Sequence, residues 1–340
     1  MPSHRCLRSL GLALTLLCVL YFLQSLATID LEQVRPLDWD NLLLGVGLSI
    51  LVYTMLLIGV STSFARLVQA AGHSSAAASE GLIVWGKANL AKYLPGNVLH
   101  FAGRQFLGAR HGWPQAKIAA ASLLEAGLFV LVPALLVALA LASTGELDVL
   151  RDIAWLGLLV AGAAGGLALM LFGTALAKWL PAPAARLLRL LQIAHPAALL
   201  PAMLYFLLFF VGMSLIVCWL YWKVAGVLNV AELPLLIAAF LASWLIGFVV
   251  PGAPGGIGVR EGTFTLLGGL ALGHDHLVIV AVLMRLVTLV GEGLLFLVAL
   301  GLAREQARLA TLADRFAPWR GRLVAAVAVT SRRTDRSRNR

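Results

Sequence analysis

Long apolar runs separated by short polar stretches dominate this chain. The runs cover residues 7–27, 41–64, 115–142, 153–177, 196–224, 232–250 and 277–303. A helix rises about 1.5 Å per residue, so about 20 apolar residues reach across the hydrocarbon core of a bilayer. Each run therefore predicts a transmembrane helix. A shorter apolar segment, 255–273, predicts an eighth crossing by a broken helix, and residues 81–110 predict a re-entrant segment.

Basic and acidic residues alternate from one predicted loop to the next. Arg5 and Arg8 lie at the start of the first run, residues 29–40 and 146–152 are mainly acidic, and residues 66–117 and 178–189 are mainly basic. Basic loops mark the cytoplasmic side of a membrane protein. The pattern predicts that both termini lie in the cytoplasm, which requires an even number of crossings. We interpret residues 7–27 as an uncleaved first helix rather than a secretory signal.

The composition agrees with a membrane protein and excludes several other classes. Of the 340 residues, 61% are hydrophobic and only 12% are charged, and the mean hydropathy is +0.92. Soluble domains have about 45–50% apolar and about 25% charged residues. A soluble enzyme, a disordered chain and a disulfide-rich secreted scaffold are therefore excluded. The predicted fold is an all-α polytopic membrane protein with about eight transmembrane helices.

Most of the positive charge lies at the C-terminal end. The formal net charge is +10, and residues 303–340 contain ten arginines and three acidic residues. We predict a transmembrane domain over 1–302 and an Arg-rich cytoplasmic tail over 303–340 that contacts anionic lipid. No nucleic-acid partner is expected, because no DNA- or RNA-binding module accompanies the tail.

Two Pro/Gly breaks share a common layout. Pro95–Gly96 and Pro251–Gly252 are each followed by an arginine nine residues after the proline, at Arg104 and Arg260. In both cases a long apolar run containing Glu-x-x-x-Phe comes next. Chance is one explanation, but the shared offset and order favour an internal repeat. Broken helices in the two halves of a membrane protein are typical of a substrate site, because freed backbone groups need a polar cavity.

Charged residues inside the apolar runs indicate where that cavity lies. Glu125, Arg285 and Glu292 each cost about 2.5–3.5 kcal/mol in the membrane unless they are paired or hydrated. They predict a polar slot between helices. The charged residues at the two breaks, Arg104, Arg260 and Glu261, would lie at the ends of this slot. A structural alternative is that buried ion pairs, such as Glu125 with Arg285, only fix the helix register.

The predicted site has two parts. The candidate ligand-binding residues are Asn97, Arg104, Glu125, Arg260, Glu261, Arg285 and Glu292. The candidate hinge residues are Pro95, Gly96, Pro251, Gly252, Pro254, Gly255 and Gly256.

Signals for catalysis or metal binding are weak. The sequence has no metal-ligand spacing of His and Cys, no P-loop lysine and no Gly-x-Ser-x-Gly motif. The stretch from His274 to His276 is interpreted as a solvated loop, and His100 as a bystander beside the first break. We expect no cofactor, no metal and no enzymatic activity.

The broken segments resemble one known family. The segments that carry the resemblance are Tyr93-Leu-Pro-Gly-Asn-Val, Gly103-Arg104, Ser122-Leu-Leu-Glu125, Pro251-Gly-Ala-Pro-Gly-Gly-Ile-Gly-Val-Arg-Glu261 and Arg285 with Glu292. They are similar to the lysylphosphatidylglycerol synthase transmembrane-region family, also called flippase-like domain proteins, over residues 7–302. The resemblance implies lipid handling in the bacterial inner membrane. Only 38 residues follow this region, so we expect a stand-alone member without the aminoacyl-transferase domain.

These observations predict a lipid flippase-like protein. Arg104 and Arg260 would hold the phosphate of an anionic phospholipid or a polyprenyl-phosphate lipid, while the glutamates balance these charges. Without an ATPase motif, movement would be downhill, ion-coupled through Glu125 or Glu292, or partner-driven. One alternative is an accessory or scaffold protein for a glycosyltransferase or for a glycan or hopanoid lipid pathway. Another is an intramembrane enzyme with Glu261 or Glu292 as its acid or base.

Overall fold

The described part of the chain folds entirely into helices, turns and loops. The computed structural model describes residues 20–25, 27, 39–94, 99–144, 181, 182, 185, 193, 195–250, 253–269 and 272–338. The α-helices with defined bounds are α1 (Trp39–Ala70), α2 (Ala78–Asn89), α3 (Leu99–Arg110), α4 (Gln115–Ala142), α5 (Leu199–Ala225), α6 (Leu233–Val249), α7 (Val259–Gly268) and α8 (His274–Arg338). Short 3-10 helices occupy Leu90–Tyr93, Pro196–Ala198, Val230–Glu232 and Pro254–Gly256.

Helices long and apolar enough to cross a membrane confirm the predicted class of protein. Within the described residues there are five: Asp40–Ala70, Gln115–Ala142, Leu199–Ala225, Val230–Val249 and His274–Leu309. The predicted run 115–142 has the same bounds as α4, and the other four predicted runs fall on α1, α5, α6 and α8. The predicted spans at 7–27 and 153–177 lie largely or wholly outside the described residues. The total of eight crossings therefore stays a prediction.

The segment after the second break forms a short helix. α7 contains ten residues, so it is about 15 Å long and reaches only half of a hydrocarbon core of about 30 Å. As a helix it is too short to span. The length of this helix does not confirm the predicted eighth crossing at 255–273. That crossing therefore stays a prediction.

Topology mapping tests the number of crossings. We expect reporter fusions to place residues 178–189 and the C-terminal end on the cytoplasmic side, because both are rich in basic residues. Fusions in the acidic segment 146–152 should report the opposite side and serve as the internal control. A C-terminus on the periplasmic side would make the number of crossings odd, and segment 255–273 would then be re-entrant.

The order of elements is similar before and after residues 143–195. A long helix, a second helix, a 3-10 turn, a short helix and another long helix follow one another as α1 to α4 and again as α5 to α8, where the 3-10 helix Val230–Glu232 is additional. Pro95–Gly96 and Pro251–Gly252 lie outside the described residues. Next to them, the Tyr93 ring lies against Gly255, so the 3-10 turns that flank the two breaks meet.

Helix α1 lies at the centre of the described bundle and packs against α2, α4, α5 and α8. Small residues bring α2 close to α1 and to α8. A Cβ atom on Gly81 would lie 2.9 Å from the Ala65 nitrogen, and one on Gly86 would lie 2.9 Å from the Ala299 Cβ. Close approach at small residues is a common way to pack helices in membranes. It holds α2 and the polar residues at its C-terminal end inside the bundle.

The last helix continues well beyond the predicted transmembrane domain. α8 runs without a break from His274 to Arg338, so the predicted boundary between residues 302 and 303 falls inside a continuous helix. Only its part up to Leu309 qualifies as a membrane span. The Arg-rich segment is therefore a helical extension of the last span.

Candidate functional site

A cavity of about 280 Å³ lies between the two groups of four helices, where the two 3-10 turns meet. Its polar and charged lining residues are Asn89, Lys92, His100, Arg104, Arg260 and Glu292. Its aromatic lining residues are Tyr53, Trp85, Phe101, Phe129, Phe209, Trp244 and Phe248. The cavity can thus bind a polar or anionic group and can also pack against an apolar group.

The first charged pair joins α3 to α4. Arg104 is only 2% exposed, and its Nη1 donates a hydrogen bond to Oε2 of Glu125. The other oxygen of Glu125 accepts a hydrogen bond from Nε1 of Trp85. The Arg104 guanidinium also lies 5.1 Å from the ring centre of Phe64, a favourable cation–π distance. Both oxygens of Glu125 are therefore occupied, and the pair of Glu125 with Arg285, considered as a structural alternative, does not form.

The second pair connects the two halves of the described bundle. Nζ of Lys92 lies 2.6 Å from Oε1 of Glu292, and the Tyr53 hydroxyl donates to the same oxygen at 3.1 Å. By hydrogen-bond geometry, Oε2 of Glu292 has no partner among the described residues, while the Tyr93 hydroxyl lies near the same carboxylate. Of the ion pairs found in this part of the chain, only Lys92–Glu292 joins residues 39–142 to residues 199–338.

The third pair stabilises the start of α7. Nε of Arg285 lies 3.4 Å from Oε1 of Glu261, and Oε2 of Glu261 accepts a hydrogen bond from the Gly258 nitrogen at 2.7 Å. A carboxylate that accepts from the first turn of a helix caps that helix. Arg285 pairs with Glu261, rather than with Glu125, because the break places α7 directly beside α8.

Arg260 differs from the other charged residues of the site. No ion pair joins it to any carboxylate in the described part of the chain, and its Nε has no hydrogen-bond partner there. Its guanidinium lies 4.6 Å from the Trp244 ring centre. The nearby Arg285 guanidinium repels it. An anion in the cavity would offset this repulsion.

Glycines make room for the Arg260 side chain. A Cβ atom on Gly247 would collide with Cγ of Arg260, and one on Gly256 would lie 2.6 Å from its Nε. Gly256 also has a φ of +73°, a conformation that other residues rarely adopt. These positions allow an arginine side chain to extend along α6 towards the cavity.

The charged residues of this region leave an excess of one positive charge. Four cations, Lys92, Arg104, Arg260 and Arg285, face three carboxylates, Glu125, Glu261 and Glu292. Burial lowers the pKa of His100 to about 3, helped by the nearby Arg104. His100 is therefore neutral near pH 7 and does not change the balance. The site is suited to a ligand with one negative charge.

The predicted residues are distributed as follows. Arg104, Arg260 and Glu292 line the cavity, Glu125 lies behind Arg104, and the Glu261–Arg285 pair borders a smaller cavity of about 40 Å³ on the other side of Arg260. Asn97, Pro95, Gly96, Pro251 and Gly252 lie outside the described residues. Of the other hinge residues, Pro254, Gly255 and Gly256 form a 3-10 turn.

Sequence reasoning missed three polar residues of the site. Lys92, Tyr53 and Asn89 all contribute to the cavity wall. Lys92 carried a usable signal, since a lysine three residues before a Pro-Gly break in an apolar segment needs an anionic partner. Tyr53 carried none, because a tyrosine inside an apolar run is unremarkable.

Metal binding has no support in the described residues, where no three His, Cys, Asp or Glu side chains come close enough to hold an ion. Comparisons with protein-family models, with curated proteins and with solved structures find no match to this chain.

Proposed function

We propose that this protein binds the phosphate of a membrane lipid in the cavity and moves the lipid headgroup across the bilayer. The observation that supports this most directly is Arg260. It is a largely buried arginine without a carboxylate partner among the described residues, and it lines a cavity with excess positive charge. The planar guanidinium matches the oxygens of a phosphate. The resemblance of the two Pro/Gly segments to flippase-like domains points in the same direction.

The size and lining of the cavity favour a lipid over a soluble anion. A volume of about 280 Å³ is at the lower end for a small-molecule pocket, so it suits a headgroup but not a whole phospholipid. Rings such as Phe129, Trp244 and Phe248 also line the cavity. In this proposal the phosphate lies against Arg260, the glycerol region lies against the rings, and the acyl chains stay in the bilayer.

Movement of the lipid follows from the way the two halves are joined. Besides the packing of α1 against α5 and α8, one ion pair between Lys92 and Glu292 joins the halves at the cavity wall. A phosphate that enters between Lys92 and Arg260 would compete with Glu292 for the lysine, which loosens this connection. We propose that the two groups of four helices are repeats that rock about the cavity, as in transporters with paired broken helices.

Proteoliposomes test the proposal. We expect the purified protein to move phosphatidylglycerol carrying a fluorescent acyl chain from the inner to the outer leaflet, measured by quenching with a membrane-impermeant reductant. Liposomes without protein give the background rate. If no phospholipid or polyprenyl-phosphate lipid binds or moves, and the protein co-purifies with a glycosyltransferase, the scaffold alternative replaces this proposal.

A further inference from the structure

Several buried polar atoms without hydrogen-bond partners lie around the same cavity. Within the described residues these atoms are Asn89 Nδ2, His100 Nδ1, Arg104 Nε, Arg260 Nε and Glu292 Oε2. Asn89 and Glu292 are each only 3% exposed. Buried polar atoms are nearly always hydrogen-bonded. A cluster of such atoms around one cavity therefore indicates the hydrogen-bonding groups that a ligand in the cavity would meet.

The unpaired atoms are not all of one kind. The amide of Asn89 and the Nε–H groups of Arg104 and Arg260 are donors, and they match the acceptor oxygens of a phosphate. Oε2 of Glu292 is an acceptor on a charged group. A second anionic oxygen placed against it would be repelled, so a bare phosphate fits only part of the wall.

The carboxylate does not need to leave its present partners to bind a ligand. Lys92 and Tyr53 both use Oε1 of Glu292, so Oε2 remains available while the ion pair is intact. Leaving such a charged acceptor unpaired in a buried site is costly. A ligand group that donates a hydrogen bond to Oε2 would remove this cost.

From these contacts we infer that the lipid headgroup carries a hydrogen-bond donor, a hydroxyl or an ammonium group, beside its phosphate, and that Glu292 recognises this donor. The inference rests on the proposed function, since it assigns the headgroup chemistry of the same site. Arg260, Asn89 and Arg104 bind the phosphate oxygens, and Glu292 makes the protein selective for headgroups that carry a hydrogen-bond donor. A phosphodiester with a methyl headgroup would bind the first three residues but would offer no donor to Glu292.

Three lipids with the same dioleoyl chains separate the possibilities. Phosphatidylmethanol has one negative charge and no headgroup donor, phosphatidylglycerol has the same charge and two hydroxyls, and phosphatidylethanolamine has an ammonium group. We expect the wild-type protein in nanodiscs to bind at least one of the last two about 10-fold more tightly than phosphatidylmethanol, as for a hydrogen bond to a charged group. Tight binding of phosphatidylglycerol alone assigns a hydroxyl, and tight binding of phosphatidylethanolamine alone assigns an ammonium group.

The Glu292→Gln variant tests whether Glu292 recognises the headgroup donor. Glutamine keeps one oxygen for Lys92 and Tyr53 and places an NH₂ donor where Oε2 was, so the preference over phosphatidylmethanol should fall to about 2-fold or less. Glu305→Gln, at a 60% exposed carboxylate, is the matched control and should keep the preference. Thermal unfolding of the variants checks that they are folded.

The outcomes distinguish this inference from the function on which it rests. Equal wild-type binding of all three lipids, or a preference for phosphatidylmethanol, overturns the role of the donor and leaves phosphate binding intact. An unchanged preference in a folded Glu292→Gln protein assigns the donor to another residue and also overturns it. Failure of the wild-type protein to bind any of the three lipids or a polyprenyl-phosphate lipid contradicts the proposed function itself.

Discussion

Arg104→Ala is expected to lower the free energy of unfolding by about 3–5 kcal/mol, because it leaves the Glu125 carboxylate buried without its counter-charge. Both side chains are 2% exposed, so water cannot replace the lost partner. The substitution also removes the contacts of the guanidinium with the rings of Phe64, Trp85 and Phe101. Denaturant unfolding in detergent micelles, followed by tryptophan fluorescence, measures the change.

A double-mutant cycle shows whether the loss comes from this pair. Arg104→Ala combined with Glu125→Ala should be less destabilising than the sum of the single changes by about 0.5–3 kcal/mol. Arg308→Ala is the control, because Arg308 is 76% exposed and pairs with Glu305 on the surface of α8. It should change stability by less than about 0.5 kcal/mol. Additive single effects would mean that Arg104 and Glu125 do not stabilise each other.

Arg260→Ala should reduce lipid binding and movement by about 10- to 100-fold, the value of one or two hydrogen bonds to a charged group. Stability should change little, because no carboxylate depends on Arg260 among the described residues. Arg260→Lys should restore part of the binding, since it keeps the charge but not the planar fork. The proteoliposome assay with fluorescent phosphatidylglycerol gives the rates, and Arg308→Ala should match the wild type. A wild-type rate in Arg260→Ala would remove this residue from the site.

Gly247→Ala offers an independent way to disturb the same arginine. The added methyl group would occupy the space of the Arg260 Cγ, so the guanidinium must shift from its position over Trp244. We expect lipid movement to fall towards the Arg260→Ala rate in a protein that remains folded, since alanine itself favours the helix. Gly127→Ala and Gly293→Ala are matched controls on α4 and α8, because a Cβ at either position has nothing within 4 Å.

The Pro/Gly breaks show how far local chemistry predicted the site. A proline followed by a glycine strongly disfavours a regular helix, so sequence reasoning predicted discontinuities at Pro95–Gly96 and Pro251–Gly252 from residue types alone. The flanking 3-10 turns at Leu90–Tyr93 and Pro254–Gly256 lie next to these positions. Arg260 was also identified from the sequence, because a buried arginine beside a break in an apolar chain requires an anionic partner.

The partners of the buried charges were not predictable in the same way. A pairing of Glu125 with Arg285 was one structural alternative, because both lie within long apolar runs. Instead Glu125 pairs with Arg104, which is 21 residues away along the chain. Arg285 pairs with Glu261 because α7 folds back beside α8. A helix shows which of its residues share a face, but it does not show which neighbour that face meets.

By itself, the sequence determined that this protein is a helical membrane protein with two interrupted segments. These properties depend on the length of apolar runs and on the backbone limits of proline and glycine, which are local. The tertiary structure alone decided that Lys92 bonds Glu292, 200 residues further on, and that Arg260 is left without a carboxylate in the described chain. Electrostatic pairing acts over a few ångströms in space, so it depends on which helices pack together and not on the spacing of charges along the chain.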